Sequence, residues 1–267
     1  AHAALARDGV LVLRADALPV LARVDTVLLD KTGTLTTGRP RIAALQTFAR
    51  VDAADALRIA ATLESGHCHP IAQAFGTGDG RIATSTRVVP GFGIEGNIDG
   101  RTWRLGRADF AVAREDDGAI WLAENDQAKA RFVLEDPMRH DAHFVVDELV
   151  ELGLRCAISS GDGADAVTPV ALALGIVEAQ ARQTPQQKLE RVRNLQREGH
   201  VVAMLGDGIN DAPVLAGADV SIAIAQGAAL SHQAADFVLG GDDLRRLPAS
   251  IRLARRTRRI VRQNLSW

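Results

Sequence analysis

Seven consecutive residues, Asp30-Lys31-Thr32-Gly33-Thr34-Leu35-Thr36, join one carboxylate to a loop of small and hydroxyl-bearing residues. They follow the apolar run Val24-Asp25-Thr26-Val27-Leu28-Leu29, which reads as a buried strand ending at the carboxylate. In open α/β sheets ligands bind beyond the carboxyl ends of strands, where loops begin. Asp30 is expected to project into such a crevice, and the N–H and hydroxyl groups after it can cradle a phosphate. A carboxylate so placed is a candidate nucleophile toward a phosphoryl group. A hydrolytic phosphatase profits from a second carboxylate two residues on, as general acid and then base. Thr32 stands there instead, so the expectation is an aspartyl-phosphate that forms and persists.

The elements that must position this chemistry are legible in outline. Beyond residue 135 the pattern alternates: helices over 142–152, 164–174 and 185–198, strands over 154–159, 201–205, 219–223 and 237–239. That rhythm predicts a parallel sheet with right-handed crossovers. Ser160-Gly161-Asp162, Lys188 and the stretch Gly206-Asp207-Gly208-Ile209-Asn210-Asp211-Ala212-Pro213 fall at strand ends, as Asp30 does. A hydroxyl and a backbone N–H at Ser160-Gly161 can hold phosphate oxygens. Residues 1–23 read as a helical lead-in.

Residues 40–134 break the rhythm. Apolar spacing predicts a helix over 52–64, and a short helix over 71–75 follows Pro70, which suits a first helical turn. Asp99-Gly100 marks a hairpin turn, and 118–134 reads as two strands joined by a polar turn over 124–129. An antiparallel sheet with a few helices, inserted into the first domain, is the expected arrangement. Gly91, Gly93 and Gly96 form G-x-G-x-x-G, but a hairpin follows rather than a helix, which argues against a dinucleotide fold. These glycines more simply let backbone approach a flat ligand. His67-Cys68-His69 invites a metal-site reading, yet a metal site needs three or four converging ligands and no further cysteine lies near.

Composition narrows the class. The chain has 267 residues, 47% apolar and 24% charged, enough for one large or two ordinary domains with a real core. A net charge of −2 gives no global attraction to nucleic acid. Two cysteines argue against a disulfide framework. No apolar run reaches the ~18 residues a membrane helix needs, and no signal peptide is visible.

Asp30–Thr36, DKTGTLT, resembles the phosphorylation motif of P-type ATPases, and GDGINDAP over 206–213 extends the likeness. The resemblance implies a haloacid-dehalogenase-like, doubly wound α/β phosphorylation domain (1–38 and 136–267) with an inserted α+β antiparallel-sheet nucleotide-binding domain (39–135). It implies ATP and Mg²⁺ as cofactors. The implied catalytic set is Asp30, Lys31, Thr32, Ser160, Gly161, Asp162, Lys188, Asn210 and Asp211, with Mg²⁺ on Asp30, the Thr32 carbonyl and Asp207. Glu64, His69 and Pro70 match the adenine-contacting Glu and His-Pro of the heavy-metal (type IB) branch, with His67 and Cys68 where that branch usually has Ser and Glu. Gly91 and Gly93 match its adenine-pocket glycines, and Asp136 and Arg139 its inter-domain hinge. The wording of 9–12, 101–106, 159–162 and 204–208 looks most like copper(I) exporters.

The resemblance further implies a membrane domain, an actuator domain carrying Thr-Gly-Glu and a transported heavy-metal cation as partners. This chain then reads as a catalytic fragment from the cytoplasmic face of a membrane pump. The Arg-rich stretch after Leu244 fits a juxtamembrane segment better than a nucleic-acid site, since no aromatic or base-reading motif accompanies it. Two alternatives remain open from the residues: a soluble phosphatase of the same fold with 40–134 as its cap, and a nucleotide-sensing module without catalysis.

Overall fold

The computed structural model describes residues 1–49, 51–66, 71–207, 211–224, 235–241 and 243–265. His67 to Pro70 and Asn210 therefore lie outside the described residues. The chain divides into two compact units, Ala1–Thr37 with Met138–Trp267, and Gly38–Pro137.

The first unit opens with helix α1 (His2–Arg7), strand β1 (Val10–Val12), helix α2 (Ala17–Leu21) and strand β2 (Thr26–Leu29). The lead-in is thus not wholly helical. Val10–Val12 pairs antiparallel with the last strand, Phe237–Leu239, and forms one edge of the sheet. Three β-branched or leucine residues suit an extended edge better than a helix that would need several turns to bury them.

The second unit is a six-stranded antiparallel sheet. Its strands are β3 (Arg41–Thr47), β4 (Thr84–Val89), β5 (Gly93–Ile98), β6 (Arg101–Gly106), β7 (Ile120–Glu124) and β8 (Gln127–Glu135), in the order β3-β8-β7-β6-β5-β4. Helices α3 (Ala53–Glu64), α4 (Ala72–Phe75) and α5 (Ala108–Ala111) accompany it. Asp52 caps α3 by accepting from the Ala54 N–H, and Ile59, Ala60 and Leu63 turn inward against Ile94, Trp103 and Phe132. The polar turn between β7 and β8 is tighter than 124–129, because both central residues, Asn125 and Asp126, adopt positive φ and close it in two.

The chain then returns to the first unit through α6 (Ala142–Glu151), β9 (Arg155–Ser159), α7 (Ala164–Ala173), β10 (Glu178–Gln180), α8 (Pro185–Arg197), β11 (Val202–Gly206), α9 (Ala212–Gly217), β12 (Val220–Ile224), β13 (Phe237–Leu239) and α10 (Arg246–Leu265). The sheet runs β1-β13-β12-β11-β2-β9-β10, with every pairing parallel except β1 with β13. From β2 the chain winds outward through β9 and β10. It then jumps back to β11 on the other side of β2 and winds outward again. The reversal between β2 and β11 is a topological switch point, where such sheets open a crevice. Helices cover both faces. Leu149 and Val167 pack with Val27 and Leu29 on one, and Val192 and Leu195 with Leu28 and Met204 on the other.

Three arginines of α10 are tied into this unit. Arg246 donates to the Gly9 carbonyl at 2.7 Å, Arg252 pairs with Glu148, and Arg255 donates to the carbonyls of Leu152 and Val24. These side chains brace the helix on the sheet, so the arginine run is only partly a free basic face. Among the described residues no helix is long and apolar enough to cross a membrane.

Candidate active site

Asp30 follows the last residue of β2, and its N–H donates to the Leu205 carbonyl of β11 at 3.0 Å. The strand pairing therefore sets the carboxylate at the switch point. The loop after it is held from within. Thr32 (φ −74°, ψ 126°) and Gly33 (φ 73°, ψ −2°) have the dihedrals of a type II turn, which requires glycine at its second central position. The Lys31 carbonyl accepts from both the N–H and the hydroxyl of Thr36, each at 3.0 Å. Buried Arg139 clamps the far side. Its guanidinium donates to the Gly33 carbonyl at 3.1 Å and its N–H to the Leu35 carbonyl at 2.9 Å. Of the two residues that the resemblance reads as a hinge, Asp136 falls in the second unit and Arg139 in the first.

Lys188 arrives from the opposite face. A Thr184–Gln187 capping box and Pro185 start α8. Lys188, Val192 and Leu195 then share its buried stripe. A lysine on such a stripe must be paired. Its Nζ lies 2.6 Å from Asp30 Oδ1 and 2.9 Å from Asp211 Oδ1, and all three side chains are under a tenth exposed. Asp211 sits at the start of α9 with its carboxylate against Gly206.

Opposing influences act on Asp30. Burial pushes the Asp30 carboxyl up, Asp211 and Asp207 add repulsion, and Lys188 pulls it back only in part, leaving it at about 7. Burial works against the Lys188 ammonium too, but Asp30 and Asp211 outweigh it and hold its pKa above the ordinary value. The Asp30 carboxyl thus meets repulsion from two acids and attraction from one ammonium, a setting in which a bound cation would favour its ionised form. The donors are hard oxygens, which suits Mg²⁺. That ion is commonly held by one or two carboxylates with waters and substrate phosphates rather than in an all-protein cage. Among the described residues no group of three His, Cys, Asp or Glu is placed to hold a metal ion.

A second cluster joins β9 to the phosphate-type loop. Asp162 Oδ2 accepts from the Thr32 hydroxyl at 2.7 Å and the Ser160 hydroxyl at 2.9 Å, and Lys31 Nζ lies 3.2 Å away. Burial alone would raise this carboxyl, but Thr32, Lys31 and Ser160 together hold it below the usual range. With no ligand bound, the Ser160 hydroxyl thus donates to Asp162. The short Ser-Gly-Asp turn brings the hydroxyl back onto its own neighbour. Removing this hub with Asp162→Ala strands the buried Lys31 ammonium. Because the Asp162 side chain keeps 40% exposure, the expected loss is about 2–3 kcal/mol, below that of a fully buried pair. Asp162→Asn should lose less, and urea unfolding of both variants reads the difference.

The second unit holds a separate cavity of about 490 Å³. Glu64, Gly91 and Gly93 line it together with Val89, Phe92, Leu105 and Arg107. Gly93 has φ +155°, and a Cβ there would meet the Leu105 carbonyl at 2.2 Å. Its lack of a side chain is thus also a requirement of the β5–β6 crossing. Phe92 and Arg107 were not singled out in the sequence; Phe92, an aromatic between two glycines, was the available signal.

A carboxylate at the switch point of a parallel sheet, paired with a lysine, is an arrangement that suits a phosphoryl-handling α/β enzyme. Residues 24–219 match the haloacid dehalogenase-like hydrolases, and the chain belongs to that family. The relatives it matches include copper- and zinc-transporting ATPases. "Probable copper-transporting ATPase SynA" of Synechococcus sp. is 38% identical over 98% of this chain. The chain spans 35% of that relative's length. A zinc-transporting PIB-type ATPase in its E2.Pi state superposes with TM-score 0.78 and 33% identity, covering 99% of this chain and 46% of that one. The catalytic domain of the CPx-ATPase CopB-B, solved in connection with conformational changes upon nucleotide binding, gives TM-score 0.78 and 28% identity over 94% of this chain and 98% of that one.

Proposed function

We propose that this chain is the catalytic part of an ATP-driven heavy-metal pump, and that Asp30 accepts the γ-phosphoryl group of ATP. The observation that carries the reading is the Asp30–Lys188–Asp211 cluster at the switch point. An Asp30 carboxylate oxygen attacks the γ-phosphorus in line, the bond to the ADP oxygen breaks, and an acyl phosphate remains. Lys188 neutralises charge on the transferring oxygens. Asp30, Asp207 and the Thr32 carbonyl would hold Mg²⁺, which would neutralise negative charge developing on the transferring phosphoryl group. Lys31, Ser160, Gly161 and Asp162 keep the loop in place, and Asn210 and Asp211 adjust the metal side. Glu64, His69, Gly91 and Gly93 bind adenine in the second unit.

Residues 1–38 with 136–267 serve as the phosphorylation domain and 39–135 as the nucleotide-binding domain. The parent protein places them on the cytoplasmic face of a membrane beside its membrane and actuator domains. Copper(I) is the proposed cargo, supported by the copper transporters among the relatives. Thr32 supplies a hydroxyl, engaged by Asp162, where a phosphatase would have its second acid, so dephosphorylation is expected to be slow. A steady-state assay with ATP and a simple phosphate ester tests this. Turnover well under the ~1 s⁻¹ lower bound of ordinary enzymes is the expected result, and fast release from the ester would favour a phosphatase.

A further inference from the structure

Phe92 is a large apolar side chain left 45% exposed, and it lines the cavity that also holds Glu64, Gly91 and Gly93. It is not loose. The Arg107 guanidinium carbon lies 5.3 Å from the centre of the Phe92 ring, and the Arg107 N–H donates to the Phe92 carbonyl at 2.8 Å. Arg107 is itself pinned, since its Nε and Nη2 donate to the two Asp109 oxygens at 3.1 and 3.0 Å and Nη2 lies 3.3 Å from Asp116. Two carboxylates already surround this guanidinium, so it is poorly suited to hold a phosphate. What it can do is fix the ring. A cation over one face of an aromatic is attracted by the ring quadrupole, and it draws electron density away from the other face, which favours stacking with an electron-rich heterocycle.

We propose that Phe92 is the stacking platform for the nucleotide base and that Arg107, locked by Asp109 and Asp116, is its positioning residue. The inference rests on the nucleotide reading of this cavity. It adds that a large part of the affinity is π-stacking on an exposed phenyl, which favours purines because they offer the larger face. The flanking glycines fit this role. Gly91 has φ +79°, and a Cβ added there would meet nothing within 4 Å, while Gly93 closes against the backbone of β6. Neither residue flanking Phe92 in sequence therefore puts a side chain beside the ring.

Calorimetric titration with ATP, adenosine and CTP tests it. Phe92→Ala should weaken ATP and adenosine alike by about tenfold or more, the scale of one lost base–aromatic stack, and weaken CTP less. Phe92→Trp should keep the purine preference. Arg107→Ala should reduce the ATP-to-CTP ratio part of the way, while Arg107→Lys, which keeps the cation, restores some of it. An unchanged ATP-to-CTP ratio in Phe92→Ala overturns the inference while leaving the nucleotide site intact. A loss for ATP without a loss for adenosine also overturns it, because the contact would then be to phosphate. A wild-type chain that binds neither ATP nor adenosine overturns both the inference and the reading beneath it.

Discussion

Asp30→Asn is expected to raise the melting temperature of the first unit above about pH 7 and to leave it nearly unchanged below about pH 4. The folded chain holds this carboxyl at about 7 against an ordinary 3.8. A group whose pKa is raised by folding contributes stability that is present below its unfolded pKa and lost as pH rises through the folded one. Wild-type stability should therefore decline across this window as the buried carboxylate ionises, whereas the asparagine variant has no charge to bury. At about 1.4 kcal/mol per unit the gain has a ceiling near ~4 kcal/mol, and a value of about 2–3 kcal/mol allows for relaxation around Lys188. That corresponds to roughly 4–12 °C for a domain of this size. Melting curves across the window check the direction and its pH dependence; a variant less stable than wild type at pH 8 contradicts the electrostatic account. The cost is one that active sites commonly carry, stability surrendered to hold a reactive group in a dry crevice.

The second large effect is expected at Lys188. Lys188→Met removes the ammonium that lies 2.6 Å from Asp30 and 2.9 Å from Asp211. Breaking a buried pair by removing one partner leaves the other charge uncompensated, at a cost of about 3–5 kcal/mol. The loss should be greatest at alkaline pH and shrink on acidification, because without Lys188 the Asp30 carboxyl rises further and takes up a proton. Phosphoryl transfer should fall by about 10²–10³-fold, the scale of one lost charge-stabilising donor in a transition state. A double variant separates the two effects. If Asp30→Asn restores the stability of Lys188→Met without restoring transfer, the lysine acts on the charge of Asp30 in folding and on the phosphoryl group in chemistry.

The catalytic strand was readable because its signal is local. A buried apolar run, a carboxylate and a loop of Thr and Gly occur in one stretch, and the type II turn at Thr32-Gly33 follows from glycine alone. Lys188 was reached through the family resemblance, and its place on one buried stripe with Val192 and Leu195 emerges only in the fold. β10 was not. Glu178-Ala179-Gln180 carries no apolar period and is a strand only because β9 offers it a ladder. β1 failed for the same reason: three residues extend because β13 is there to pair with them. The tying of Asp162 to Lys31 and Thr32 spans 130 residues of sequence, and no spacing rule reaches that far. The bracing of α10 by Arg246 and Arg255 onto backbone carbonyls could not be told from a solvent-facing basic stripe, since both have the same composition. His69 and Asn210, read from their motifs, lie outside the described residues.

The most direct measurement is acid-quenched labelling of the wild-type chain and Asp30→Asn with γ-labelled ATP and Mg²⁺. The expected result is stable, hydroxylamine-sensitive label on the wild type and none on the variant. Label that resists hydroxylamine, or that persists once Asp30 has been replaced, would contradict a phosphorylated aspartate at the switch point.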